Sequence, residues 1–152
     1  MNLPSFLTNP YVVIPTIGLI IQIIVLGLLF YGYFLNKRLM FKQHGKIMAW
    51  AVALHLIAIF AVMVPSFLLA VIQQYIVPHF FGPISILSLV HVPLGVIAAS
   101  LGIWFVAAWR LQGLKGCFNR KRKMLLTMTV WLVSIFLGMT LYALFYWNLL
   151  MS

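Results

Sequence analysis

The chain has no aspartate and no glutamate in 152 residues. That absence removes whole classes of chemistry. Paired carboxylates serve glycosidases, a carboxylate orients the histidine of a hydrolase triad, and Mg²⁺ and Ca²⁺ prefer carboxylate oxygen. An ion-coupled transporter would lack the intramembrane acids that commonly carry its proton or sodium ion. Cysteine occurs once, as Cys117, so neither a disulfide nor a multi-cysteine metal site can form within the chain. The polar groups left for an interior are His, Ser, Thr, Tyr, Asn and Gln.

What is present is apolar and one-signed. Hydrophobic residues make up 65% of the chain, and its 10 charges are all Lys or Arg. They fall in two stretches, Lys37, Arg38, Lys42 and Lys46, then Arg110, Lys115, Arg120, Lys121, Arg122 and Lys123. Between and around them lie four runs free of internal charge, about 11–35, 47–77, 84–109 and 124–151. Each exceeds the roughly 20 residues that cross a hydrocarbon core. The expected fold is all-α, an integral membrane up-down four-helix bundle filling 1–152 as a single transmembrane domain. Pro15, Pro65 and Pro93 fall within spans, where membrane helices accommodate them as bends.

An up-down path puts both basic stretches on one side, cytoplasmic by the positive-inside rule, with both termini outside. The start carries no basic n-region and its first apolar run is too long for an h-region, so the first span is expected to be retained in a multi-pass protein of the cell membrane. Lys37, Arg38, Lys42, Lys46, Arg120, Lys121, Arg122 and Lys123 are expected to meet anionic lipid headgroups. A net charge of +10 would also attract other membrane subunits with acidic loops. No nucleic-acid motif or stacking surface accompanies the charge, so no such partner is expected.

Four histidines are the candidate ligands. His44 opens the second span and His55 follows 11 residues later, about 20° past three full turns, on one face with Ala51, Ala58, Val62 and Ser66. His91 shares its face with Gly95, Ala98 and Gly102, a groove of small residues suited to close helix contact or to a cofactor. Counted from Lys46 and Arg110, the depths of His55 and His91 differ by roughly 14 Å. His79 lies in the outer connection near the depth of His91, and that pair is a candidate copper site with Met63 or Met139.

His44-Gly45-Lys46-Ile47-Met48-Ala49-Trp50-Ala51 resembles the opening of a core helix in cytochrome b-561 proteins, and His91-Val92-Pro93-Leu94-Gly95 with Leu101-Gly102 resembles the next. From Gly27 to Tyr146 the order of spans and loops is similar to the four-span family of domain of unknown function 420. The resemblance implies haem ligation by His44 and His91, each lacking its partner here. Where the four-span family often places a histidine, this chain reads Phe118-Asn119-Arg120-Lys121. It also implies association with haem-copper oxidases or copper delivery.

The leading expectation is a non-catalytic integral membrane subunit or assembly factor of a larger redox complex, a terminal oxidase or a copper-dependent membrane enzyme. The alternatives are a b-type haem electron-transfer protein, with His44, His91, Gly95 and Gly102 forming the cofactor site, and a copper-binding or transfer protein using His79 and His91.

Overall fold

The computed structural model describes residues 10–112 and 121–151. These form four long helices and, among the described residues, no strand. Helix α1 is Pro10–Lys37, α2 runs over Phe41–Ile76, α3 is Pro83–Gln112 and α4 is Lys121–Met151. All four are long and apolar enough to cross a membrane, so the chain is a multi-pass membrane protein with lipid against its outer faces. Large side chains such as Phe60 and Leu69 project outward on that surface.

Each helix is longer than its uncharged core. Helix α2 begins at Phe41, six residues before Ile47, because Lys42 and Lys46 are good helix formers that keep their charged ends in water while the backbone continues. Its outer half is partly π-helical, over Ile59–Met63 and Phe67–Ile76, on either side of a short α-helical piece holding Pro65. A proline cannot donate to the carbonyl four residues back, and the wider turn relieves the clash at that carbonyl.

Helix α1 ends in a tight turn. The Met40 amide bonds to the Leu35 carbonyl at 3.0 Å and the Leu39 amide to Asn36 at 3.1 Å. This is a Schellman closure, with Leu39 at φ 60° in the left-handed position that glycine usually fills.

Helices α1 and α2 pack as one antiparallel hairpin and α3 and α4 as another, and the α2–α3 and α1–α4 contacts close the bundle. The joined ends carrying Lys37 to Lys46 and Arg110 with Arg122 lie together, here termed the basic end. At the bundle centre Trp131 is fully buried against Val25, Leu29, Ala51, Val52, Ala98 and Ile135. Gly102 makes room for it, since a Cβ there would lie 3.2 Å from the indole. Small residues on α2 and α3 thus seat the largest residue of α4.

Candidate functional site: a groove at the basic end and a polar centre

His44 sits one turn into α2 and is buried. Its Nδ1 donates to the Gly32 carbonyl of α1 at 2.7 Å. A carbonyl only accepts, so the hydrogen of the neutral ring is on Nδ1 and Nε2 presents its lone pair. A ring whose second nitrogen is held in this way is oriented as metal-ligating imidazoles are.

His44 lines a cavity of about 440 Å³ formed by all four helices. Its walls are mainly Met48, Val52, Phe105, Trp109 and Trp131, with Tyr33, Asn36 and Arg122 supplying polar groups. Gly45 is what admits Trp109, because a Cβ at residue 45 would overlap the indole ring. Gly102 lines this cavity as well, whereas Gly95 faces Ser134 of α4, with 3.5 Å between its missing Cβ and the hydroxyl. Of the two glycines expected to form a groove, one lines the cavity and the other lies in the contact between α3 and α4.

At the basic end, Lys37 lies over Tyr33 at 4.9 Å, Arg38 over Phe34 at 4.2 Å and Lys123 over Trp104 at 5.8 Å. Lys42, Lys46 and Arg122 are exposed at the same end. Lys121 begins α4. Arg120 lies outside the described residues, as do Lys115, Cys117 and Asn119.

A second polar group occupies the centre. His55 is 2% exposed, its ring 5.0 Å from that of Trp131. Gln22 Nε2 of α1 donates to His55 Nδ1 at 3.2 Å. Nδ1 then accepts, and the ring hydrogen sits on Nε2, which makes no well-aligned hydrogen bond among the described residues. The Gly95 carbonyl and the His91 ring are nonetheless near enough to act on it electrostatically. His91 packs on α4 at Gly138, 3.0 Å from where a Cβ would stand, with the Ser134 carbonyl near enough to act on its ring, and its buried Nδ1 makes no hydrogen bond among the described residues.

The two central imidazoles are therefore closer than a count along the helices indicates. Gly95, beside His55, is one turn from His91, a rise of about 6 Å. The count from Lys46 and Arg110 treats the helices as upright and level. It also ignores that α3 carbonyls point toward the basic end, bringing the Gly95 oxygen to His55.

The other expected pairs are not brought together. His79 is exposed in the connection after α2, its carbonyl accepting from Ser85 Oγ at 2.8 Å, while His91 lies eight residues inside α3. His44 and His91 lie in opposite halves of the bundle. Among the described residues no three of His, Cys, Asp and Glu cluster as a metal site. Gln22, Ser88 and Trp131 escaped the sequence reading. Gln22 had a signal, being the one amide in the first span before Asn36. Comparison with family models, curated proteins and solved structures finds no match to this chain.

Proposed function

We propose that this chain is a non-catalytic integral membrane subunit or assembly factor of a larger redox complex, a terminal oxidase or a copper-dependent membrane enzyme. The observation that carries the reading is the cavity at the basic end, which offers one oriented histidine nitrogen and no second histidine facing it among the described residues. A half-complete site suits a protein that completes its cofactor environment, or passes a cofactor on, only with a partner. The basic end faces the cytoplasm of the cell in this reading, and the chain's +10 charge is met by anionic lipid and by acidic loops of the other membrane subunits. No nucleic acid takes part.

Haem b is the cofactor class the cavity favours. Neutral imidazole ligates haem iron, aromatic and Met side chains suit a flat apolar ring, and Arg122 at the mouth suits the acid groups at its edge. A chain that holds haem b itself, as an electron-transfer protein, is the second reading, favoured by the His44 to Gly32 hydrogen bond. The His79 and His91 copper site has no comparable support.

Purification from native membranes in mild detergent, followed by a reduced-minus-oxidised absorbance spectrum, tests both. A haem or copper complex that accompanies the chain, with no haem band once the chain is alone, is the expected result. A haem band that stays with the isolated chain and disappears in His44→Ala selects the second reading. A monomer without band or companion overturns both.

A further inference from the structure

Three thioethers share the basic-end cavity with His44. Met48, Met124 and Met128 all line it, and each is half-buried. They stand with the histidine as two pairs. His44 and Met48 are four residues apart on α2, and Met124 and Met128 four apart on α4, so each pair occupies one face of its helix. Helices α2 and α4 are diagonal in the bundle, each packed between α1 and α3, and the two pairs belong to opposite walls of the cavity.

Their depths agree. A Cβ at Gly102 would lie 3.0 Å from Val52 and 3.2 Å from Trp131, which sets those residues of α2 and α4 level with each other. Both helices run inward from the basic end. Counted back from that contact, His44 and Met124 each lie about 10–12 Å toward the basic end. On α2 the thioether is already beside the ring, because the missing Cβ of Gly32 would be 2.8 Å from Met48 Sδ and 3.7 Å from His44 Nδ1.

Donor chemistry narrows the ligand. The Gly32 carbonyl holds Nδ1 of His44, a residue only 4% exposed, so Nε2 is the nitrogen left to coordinate. Thioethers are soft, uncharged donors that select Cu(I), whereas Mg²⁺ and Ca²⁺ need the carboxylate oxygens this chain lacks. A zinc site would want more imidazole or thiolate, and among the described residues the cavity has one histidine and no cysteine. Arg122 also lines the cavity with no acid in the chain to offset it, which repels a doubly charged ion twice as strongly as a singly charged one. At about 440 Å³ the cavity is larger than one ion, and methionine, with three rotatable bonds, is the side chain able to close on it.

We infer that this cavity is a Cu(I) site, with His44 Nε2 and the thioethers of Met48, Met124 and Met128 as ligands. The inference goes beyond the proposed function and draws on the same nitrogen, so haem and copper exclude one another there. A closed-shell ion adds no visible band, and an isolated chain without haem can carry it.

Full-length, haem-free protein in detergent is titrated anaerobically with Cu(I) against the coloured Cu(I) chelator bicinchoninate, and the loaded protein is measured by X-ray absorption at the copper edge. One ion per chain, with both nitrogen and sulfur scatterers, is expected. Leucine replaces methionine at little change of volume, so the double variant Met124→Leu, Met128→Leu is expected to fold, to bind at least tenfold more weakly and to lose sulfur scattering. His44→Ala is expected to weaken binding as much and to lose the nitrogen, while Met63→Leu, in the outer half of α2, leaves binding unchanged. Wild-type protein that leaves all the copper on the chelator overturns the site, as does binding that the methionine double variant leaves unaltered. Neither result bears on the haem reading, whose spectrum is taken without added copper.

Discussion

Single atoms decide much of the architecture at the residue scale. A Cβ at Gly45 would overlap the rigid ring of Trp109, whereas one at Gly32 would meet the flexible end of Met48, 2.8 Å away at Sδ. Gly45→Ala is therefore expected to cost about 1–3 kcal/mol, the range for overpacking, and Gly32→Ala distinctly less. Thermal unfolding in detergent checks the order of the two, and equal losses would remove the role assigned to Trp109. Gln22→Leu sits on different ground. Interhelical hydrogen bonds in membranes average about 0.6 kcal/mol, so stability should change by less than about 1 kcal/mol. The ¹⁵N shifts of His55 should nonetheless move, because its Nδ1 loses the donor that fixes the tautomer.

Two departures from regular helix stand out among the elements. Leu39 takes a backbone conformation that costs an L-residue about 1–2 kcal/mol, so Leu39→Gly is expected to raise stability by about 1 kcal/mol. Melting curves read this directly, and a lower melting point would mean that the exposed leucine makes contacts of its own. The π-helical turns around Pro65 give the second case. Amides in 59–76 should exchange hydrogen faster than those in 41–58, and Pro65→Ala should slow exchange in 59–63 by restoring α-helical bonds. Exchange that is the same in both halves would contradict the link to proline. The spans and their number were legible in the sequence because hydropathy and charge are properties along the chain. Extension of α2 back to Phe41 was not, since uncharged runs mark the lipid-facing length and leave the helical backbone under Lys42 and Lys46 unmarked. Meeting points between helices were the least legible. His55 lies within reach of the Gly95 carbonyl and the His91 ring, a placement between helices that no count of residues contains.

Across the whole molecule, an outer coat of Ile, Leu and Phe surrounds an interior that is small at its contacts and polar at its centre. The cavity at the basic end and the central polar pair of His55 and Gln22 meet at Trp131, which lines the cavity and lies 5.0 Å from the His55 ring. Half of the candidate site was readable from the His44-Gly45 pair. Its walls were not, because Tyr33, Phe105 and Arg122 come together only when the hairpin of α1 and α2 closes on that of α3 and α4. The same closure leaves His44 with no opposing histidine among the described residues, which is what the proposed partner would supply. The most direct measurement is the difference spectrum of the chain purified from native membranes in mild detergent, taken before and after any proteins that accompany it are stripped away. Haem or copper bands are expected in the material as purified and none in the chain by itself. A chain that migrates alone from native membranes, with no band at any stage, would contradict that expectation.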